Sequence, residues 1–356
     1  MSDEIVKFGI FGAGSIAIYR HTPEISANPW GQVVAIYDPI TDRADLLADQ
    51  LEEHYGVEVD VVESEEALLA IEEIDAVVVA TPNRHHARLA IAAMEAGKHV
   101  LCEKPMATSL EDAQKMIDTA KKTGKKLMIG HNQRLMSPHV KAKELLDEGV
   151  IGDVLSFRTS FGHAGPESWS QDQGPHTWFF KKEEAFVGTM GDLGVHKTDL
   201  IRWLLGTEVK EVGAFVETLA KKNEKDELIT VDDNAVCILK MESGAVGQLT
   251  ASWTYAAAED NITVIYGTKG QMILGADPEF PVEVMLATGE MAKYKVGAVA
   301  TNDVQVASGI PDEFIDCVLD DEAPGISGDE EEQIVQGPRA QSAVTTGATL
   351  LGDQPV

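Results

Sequence analysis

An acid and a histidine four residues apart, Asp192 and His196, could carry out proton transfer. A helical pattern over residues 193–205 begins beside them, and positions four apart share one face of a helix. Histidine can exchange a proton near neutral pH, and the carboxylate could fix its tautomer or hold a substrate. In the alternative interpretation the pair is structural, with Asp192 as the N-cap of the helix and His196 as a packing residue.

A lysine in the sequence Glu103-Lys104-Pro105 offers related chemistry. A partly desolvated lysine beside a carboxylate can orient a substrate hydroxyl or exchange its proton. The three residues follow a predicted strand over residues 99–102, and the carboxyl ends of strands line the ligand crevice of open α/β sheets. Taken alone, the motif is more typical of an ordinary solvated surface lysine.

A glycine-rich turn, Gly12-Ala13-Gly14-Ser15-Ile16-Ala17, lies between the first predicted strand and a helix. In that context the pattern predicts dinucleotide binding. Gly12 permits the tight turn, Gly14 lets a pyrophosphate approach the backbone, and the small Ala17 lets helix and strand pack closely. A glycine turn in an unrelated α/β protein is the alternative.

The second predicted strand ends at Asp38, whose carboxylate could accept hydrogen bonds from the ribose hydroxyls of adenosine. The same charge would repel a 2′-phosphate, so NAD is favoured over NADP. NADP stays the less favoured alternative because Arg43 lies nearby. Further along, Thr81 and Asn83 follow another predicted strand and could bind the cofactor, or could simply form a strand-to-helix turn.

The pattern of elements predicts two domains of different class. The first third alternates strand patterns with helix patterns and indicates a doubly wound parallel sheet, so we predict an α/β domain over residues 1–130. Residues 131–356 are strand-rich, with one clear early helix at 193–205, and predict an α+β domain with a mostly antiparallel sheet. The predicted strands are 6–11, 33–37, 76–80, 99–102, 126–129, 153–160, 209–218, 234–242, 245–253 and 261–266, and the other predicted helices are 42–55, 64–71, 85–95 and 110–123.

Charge and composition exclude several classes of partner. The 356 residues include 29 Lys+Arg and 59 Asp+Glu, a net charge of −30, which disfavours nucleic acid and anionic membranes. No uncharged apolar run approaches the roughly 18 residues of a membrane span, and the first residues are acidic where a signal peptide is basic. We therefore expect a cytoplasmic protein, with acids that either keep it soluble or adapt it to high salt.

Residues 163–178 are rich in histidines, aromatics and turn residues just before the helix of His196. Indole faces pack on the C–H surfaces of sugars, so His163, His176 and Trp178 could form a polyol-binding wall. The alternative is an ordered loop whose tryptophans complete a domain core. The histidines lack the spacing of a zinc site, and Cys102, Cys237 and Cys317 are too scattered for a zinc cluster or a disulfide framework, so no metal is predicted.

Four motifs, in this order and spacing, resemble the Gfo/Idh/MocA oxidoreductases, the family named for glucose-fructose oxidoreductase and inositol dehydrogenase. They are G-x-G-x-x-A at 12–17, A-T-P-N-x-x-H at 80–86, E-K-P at 103–105 and D-x-G-x-H-x-x-D at 192–199. The similarity covers nearly the whole chain and includes Arg134. It implies a Rossmann domain, a second domain whose open sheet often forms the oligomer interface, and hydride transfer between NAD(P) and sugars or polyols.

The resemblance also implies residue roles. Lys104 matches the lysine that contacts nicotinamide ribose and substrate, Asp192 the substrate-binding acid, and His196 the proton acceptor. Together with the motifs it assigns cofactor contacts to Gly12, Ala13, Gly14, Ser15, Ile16, Asp38, Thr81, Asn83, His86, Glu103 and Lys104, and substrate contacts to Arg134, His163, His176, Trp178 and Asp192. Two departures are Gly188-Thr189-Met190-Gly191, which replaces a run of glycines, and Gly337-Pro338, which should break a terminal helix.

The sequence thus predicts an NAD-dependent dehydrogenase of a sugar, polyol or sugar derivative, acting as a homodimer or homotetramer through the second sheet. A redox-neutral enzyme that uses bound NAD for elimination or glycoside cleavage is one alternative. A non-catalytic sugar or nucleotide sensor of the same fold is another, although a sensor has no need of Lys104, Asp192 and His196 together.

Overall fold

The computed structural model describes residues 5–299 and 307–328 and contains two sheets. The first sheet is wholly parallel, with strand order β3-β2-β1-β4-β5-β6. Its order reverses between β1 and β4, which is where open α/β sheets form their ligand crevice. The strands are β1 (Val6–Phe11), β2 (Gly31–Tyr37), β3 (Asp60–Val61), β4 (Ala76–Val79), β5 (His99–Cys102) and β6 (Leu127–Ile129).

Helices cover both faces of this sheet, so its central strands are buried on both sides; all four residues of β4 are buried. Ser109 caps α5 by accepting a hydrogen bond from the Asp112 backbone N–H, and Gly124 ends it in the left-handed conformation. The predicted α/β class of this region is confirmed. The helices are α1 (Thr22–Ala27), α2 (Thr41–Tyr55), α3 (Glu65–Leu69), α4 (His86–Glu95) and α5 (Leu110–Thr123).

The second sheet has eight strands in the order β14-β13-β12-β11-β7-β10-β9-β8. All neighbours are antiparallel except β7 and β10, which are parallel, so the predicted mostly antiparallel sheet is confirmed. The last three strands, β12 to β14, were not predicted; each has only four or five residues and mixes apolar with polar side chains. The strands are β7 (Val154–Gly162), β8 (Val209–Glu217), β9 (Asn234–Met241), β10 (Val246–Ser252), β11 (Thr263–Gly267), β12 (Gly270–Leu274), β13 (Val282–Leu286) and β14 (Met291–Tyr294).

Helices α6 (Ser137–Asp147), α7 (Lys182–Ala185) and α8 (Val195–Leu205) belong to this second region. The sequence predicted α8 but missed α6, which has Pro138 in its first turn. A π-helical turn, Met190–Gly194, leads into α8. Residues of α6, α8 and the inner face of the sheet form one core, which contains the fully buried Trp253.

Helix α9 (Ile310–Leu319) packs against the first sheet rather than the second. Ile310, Phe314 and Ile315 are buried in the first core, where the Phe314 ring lies 6.2 Å from the ring of Phe8. The C-terminal segment therefore contributes to the N-terminal core. The division of the rest of the chain at residue 130 stays a prediction, and the predicted break at residues 337–338 lies outside the described residues.

The outer face of the second sheet exposes apolar side chains. Phe215 is 69% exposed and pairs with Val236 across β8 and β9, and Ile238 and Val246 are also exposed. Among the described residues, no helix combines the length and the apolar character needed to cross a bilayer.

Candidate active site

A cavity of about 910 Å³ is lined by the carboxyl ends of the first sheet's strands and by residues of the second region. It contains the glycine turn at one side and Asp192 and His196 at the other. The two sets of predicted site residues, separated by about half of the chain, therefore face one space.

The glycine turn has the backbone shape that a pyrophosphate requires. Gly12 has φ of +93°, and a Cβ there would lie 2.6 Å from the Ala80 carbonyl oxygen, so only glycine fits. At Gly14 the nearest protein atom to a Cβ would be 4.0 Å away, which leaves an open cradle on the cavity side. Ser15 and Ile16 line the same cavity.

Asp38 lies at the cavity beside this turn and is held by the backbone. Its Oδ2 accepts a hydrogen bond from the Ala13 N–H at 2.9 Å, and its Oδ1 accepts one from the Ile40 N–H at 2.8 Å. The Ala13 side chain is buried in the core, so its part in the site is to position Asp38.

The two predicted residues of the loop after β4, Thr81 and Asn83, play different parts in the cavity. Thr81 lines the cavity, and its buried hydroxyl oxygen has no hydrogen-bond partner within the described part of the chain, so it can serve a ligand. Asn83 also lines the cavity, and its side-chain amide donates to the Ala185 carbonyl at 2.8 Å, which ties the two regions together.

His86 is almost wholly buried and joins two loops. Its Nδ1 and Nε2 each lie 2.8 Å from a carbonyl oxygen, those of Pro105 and Thr81. Burial lowers the pKa of His86 in spite of these two carbonyls. Because both ring nitrogens are engaged, His86 is better placed to position the cofactor loops than to bind the cofactor itself.

Glu103 is a buried carboxylate that binds the backbone of Lys104. His21 Nε2 donates to Glu103 Oε1 at 2.8 Å, and the Lys104 backbone N–H donates to Oε2 at 3.1 Å. Burial alone would raise the pKa of Glu103, but the hydrogen bond and charge of His21 and the charge of Lys104 outweigh it and lower the pKa to about 2. Glu103 is therefore a fixed carboxylate at neutral pH.

Lys104 and Asp192 meet across the cavity. Lys104 Nζ donates to Asp192 Oδ1 at 3.0 Å and to the Asp192 carbonyl oxygen at 2.9 Å. Trp253 Nε1 donates to the other carboxylate oxygen, Oδ2, at 3.0 Å. The Asp192 carboxylate is therefore hydrogen-bonded to a lysine and an indole. Among the described residues it accepts no hydrogen bond from the N-terminal N–H groups of α8.

His196 stands next to this pair on the first turn of α8. It is 9% exposed, lines the cavity, and its buried Nδ1 has no hydrogen-bond partner among the described residues. Burial, and then the charge of Lys104, lower the pKa of His196 well below its ordinary value. The imidazole is therefore neutral near pH 7 and able to accept a proton.

Aromatic side chains form one wall of the cavity. Trp178 stacks on Phe179 with ring centroids 3.9 Å apart, and Trp169 meets Phe179 edge-on at 5.3 Å. His163 Nδ1 accepts a hydrogen bond from the Gly165 N–H at 2.9 Å, which puts the proton of the neutral ring on Nε2. Trp169 also lines the cavity, and its buried indole N–H has no hydrogen-bond partner within the described residues.

Two residues predicted to contact substrate lie elsewhere. Arg134 is buried beneath the site, where its Nε donates to both carboxylate oxygens of Asp199 at 2.9 and 3.0 Å. It is absent from the lining of the cavity because its guanidinium is committed to this ion pair. His176 is exposed and also lies off the cavity lining. Among the described residues, Arg134 thus serves an ion pair beneath the site, and His176 lies outside the lining of this cavity.

Asn132 and Gln133 are among the cavity residues that were not predicted. The Asn132 and Gln133 side-chain oxygens are buried, line the cavity, and have no hydrogen-bond partner among the described residues. Their signal in the sequence was their place directly after β6, at the carboxyl edge of the sheet. With the Thr81 hydroxyl and the cradle at Gly14, these buried polar atoms fit a dinucleotide and a hydroxyl-rich substrate. Among the described residues no group of three or more potential ligands has metal-site geometry.

Comparisons with known proteins agree with this geometry. Residues 6–131 match the model of an oxidoreductase family with an NAD-binding Rossmann fold, and residues 139–273 match the model of the GFO/IDH/MocA C-terminal domain. The first part of the chain is therefore an NAD-binding Rossmann domain.

Curated relatives are named for sugar and polyol chemistry. The levoglucosan dehydrogenase of Pseudarthrobacter phenanthrenivorans is 32% identical over 61% of this chain, and the match spans 60% of that protein. The inositol 2-dehydrogenase of Rhizobium meliloti is 30% identical over 80% of this chain and 79% of its own length.

A solved structure extends the likeness to the whole fold. An oxidoreductase domain protein from Kribbella flavida superposes with a TM-score of 0.79 at 25% identity, covering 97% of both chains. Two family models that together span most of the chain, and a relative at 30% identity, lead to one conclusion: the chain belongs to the GFO/IDH/MocA family of oxidoreductases.

Proposed function

We propose that the protein is an NAD-dependent dehydrogenase that oxidises a hydroxyl-bearing carbon of a sugar, a polyol such as an inositol, or a sugar derivative. The observation that carries the proposal is the meeting of Lys104 and Asp192 beside His196, in the same cavity as the glycine turn. The names of the relatives, levoglucosan dehydrogenase and inositol 2-dehydrogenase, support the class of substrate.

The Rossmann side of the cavity would hold the cofactor. Gly12 and Gly14 would leave room for the pyrophosphate, Asp38 would accept hydrogen bonds from the adenosine ribose, and the Thr81 hydroxyl has a free hydrogen-bonding position near the switch point of the sheet. Bound NAD supplies the hydride acceptor. The protein's own groups must then bind the alcohol, orient it and remove its proton.

His196 is the proton acceptor in this mechanism. Its low pKa leaves the imidazole neutral at neutral pH, so it can take the hydroxyl proton as the carbon is oxidised. Lys104 Nζ has three protons, of which two are donated to Asp192, and the third can be donated to the substrate oxygen. That donation stabilises the negative charge that develops on oxygen.

Asp192 and the aromatic wall orient the substrate. Trp253 holds one oxygen of the Asp192 carboxylate, so the carboxylate has a fixed direction and can accept a hydrogen bond from a substrate hydroxyl. Trp169 and Trp178 offer indole surfaces on which C–H groups of a sugar ring can pack. His163 would donate from Nε2 to another hydroxyl.

The proposal is tested by following NADH formation with a panel of inositols, aldoses, uronates and amino sugars, with NAD and then with NADP. We expect reduction of NAD by one class of these compounds. Lys104→Ala and His196→Ala should keep NAD binding but lose most of kcat, because both groups act on the substrate oxygen.

Lys210→Ala and His54→Ala are matched controls, since both side chains are exposed and away from the cavity. Near-normal turnover of the Lys104 and His196 variants would refute their assignment. NAD that stays bound through purification, with no net NADH from any compound, would instead favour redox-neutral chemistry. Binding of sugar without any turnover would favour a sensor.

We also propose that the exposed apolar face of the second sheet is the interface of a homodimer or homotetramer. Phe215, Val236, Ile238 and Val246 are exposed on neighbouring strands β8, β9 and β10, and Phe215 lies directly opposite Val236. Phe215→Asp should lower the molar mass measured by light scattering. An unchanged mass in that variant would argue against this interface.

A cytoplasmic location is proposed because the reaction needs a pool of NAD. Cell fractionation with an antibody against the protein tests it, and recovery from a membrane or extracellular fraction would contradict it.

A further inference from the structure

An ion pair joins the adenosine side of the cavity to the second region of the chain. Arg43, in the first turn of α2, contacts the carboxylate of Asp172 through Nη2, and both residues line the cavity. The two side chains are 25% and 28% exposed, so the contact is partly shielded from water. None of the motifs in the sequence analysis includes Asp172.

The segment that contains Asp172 is held in place by its own hydrogen bonds. Ser170 Oγ donates to the Asp172 carbonyl oxygen at 3.0 Å and lies 3.2 Å from Thr177 Oγ1. Ser15 Oγ, in the glycine turn, donates to the Trp169 carbonyl at 3.5 Å. Asp172 is thus presented to Arg43 by a segment that already touches the cofactor-binding turn.

The charges at this edge explain why the pair matters. Asp38 is fixed by two backbone N–H groups, and Arg43 follows it by five residues. In Rossmann domains an arginine near the end of the second strand accommodates the 2′-phosphate of NADP. Here that guanidinium is occupied by a carboxylate, so a 2′-phosphate would have to displace Asp172 and also face Asp38.

We propose that Asp172 is a cofactor-selectivity residue, which occupies the Arg43 guanidinium and thereby prevents it from binding an adenosine 2′-phosphate. The preference for NAD over NADP is then set by both regions: Asp38 accepts hydrogen bonds from the ribose hydroxyls, and Asp172 occupies the guanidinium of Arg43.

Nucleotide binding to the purified full chain tests this without any sugar substrate. Dissociation constants of NAD, NADP, 5′-AMP and 2′,5′-ADP are measured by calorimetry for the wild type and for Asp172→Asn, which keeps the side-chain shape and removes the charge. We expect NADP and 2′,5′-ADP to bind about tenfold more tightly, the scale of one charge-assisted hydrogen bond. NAD and 5′-AMP should change by less than about twofold, because they carry no phosphate at that position.

Two further variants separate the proposed effect from simpler ones. Asp42 is an exposed residue next to Arg43 and, within the described residues, does not contact the Arg43 guanidinium. Asp42→Asn removes an equal charge and should not reproduce the gain in affinity for NADP and 2′,5′-ADP. Combining Arg43→Gln with Asp172→Asn should abolish the gain, because the freed guanidinium is its source.

Equal changes for nucleotides with and without a 2′-phosphate would overturn the proposal and show that Asp172 shapes the site as a whole. A gain that persists in the double variant, or that Asp42→Asn reproduces, would overturn it as well. These measurements use no sugar substrate, so they do not depend on the substrate class proposed above. The proposed function and the proposed role of Asp172 can therefore be refuted independently.

Discussion

Lys197 is a lysine buried in the core of the second region, and its removal should stabilise the protein in a pH-dependent way. The side chain has 0% exposure, its Nζ lies 3.5 Å from Thr263 Oγ1, and it sits 5.7 Å from the centre of the Phe161 ring. Burial lowers the pKa of Lys197 from 10.5 to about 7, in spite of the nearby charges of Asp260 and Glu259.

The difference between those two pKa values corresponds to a cost of about 5 kcal/mol for keeping the ammonium charged in the native state. Below about pH 7 the native protein bears this whole cost, since the lysine is charged in both states. As the pH rises towards 10.5, the native lysine is neutral while the unfolded chain still binds the proton, so stability rises with pH.

Lys197→Met keeps the length of the side chain and removes the charge. The variant should be more stable than the wild type near pH 6, and its advantage should shrink by about 4 kcal/mol between about pH 6 and about pH 10. The assay is urea unfolding at a series of pH values, followed by tryptophan fluorescence. Four of the five tryptophans, Trp169, Trp178, Trp203 and Trp253, lie in the second region, so the signal reports mainly the part that contains Lys197.

Lys182→Met is the matched control, since that lysine is exposed, and its stability difference from the wild type should not depend on pH. A constant difference for Lys197→Met across the pH range, or a variant less stable than the wild type near pH 6, would refute the reasoning. Such a result would mean that the buried ammonium is compensated by its surroundings.

Two further predictions concern the site. Trp253→Phe keeps most of the core volume but removes the donor to Asp192, so we expect kcat/KM for the substrate to fall by about tenfold or more with NAD affinity unchanged, and Trp203→Phe to have little effect. An unchanged kcat/KM would show that the indole does not orient Asp192. Gly12→Ala should lower NAD affinity, measured by calorimetry, by about tenfold or more because its Cβ meets a backbone oxygen. Gly56 also has a positive φ but no atom within 4 Å of a Cβ, so Gly56→Ala should cost only stability.

Most N-terminal strands and helices could be predicted to within a few residues because parallel strands between helices combine two clear periodicities, whereas the short elements β3 and α1 were not predicted. Strand β1 and helix α5 have the predicted bounds, whereas α6 was missed. The predicted pair Asp192 and His196 does lie in the cavity. Arg134 does not, because its guanidinium pairs with the buried Asp199, a contact that the local sequence does not indicate.

Long-range partners account for most of what the sequence leaves open at the site. The contact of Trp253 with Asp192 joins residues 61 positions apart, and that of Arg43 with Asp172 joins residues 129 apart. Each depends on how two sheets pack, which no local pattern encodes. The buried side-chain oxygens of Asn132 and Gln133, which have no hydrogen-bond partner among the described residues, likewise can be identified only from the three-dimensional structure of the cavity.

The docking of α9 on the first sheet limits how freely the N-terminal unit can be treated as a module. A chain cut at residue 130 would lack Phe314 and Ile315 and would open the pocket in which Phe8 is buried. Exchanging this unit between family members, to join one cofactor preference to another substrate range, would therefore require transplanting residues 310–319 with it. Chimeras made by a single crossover would inherit a mismatched core instead.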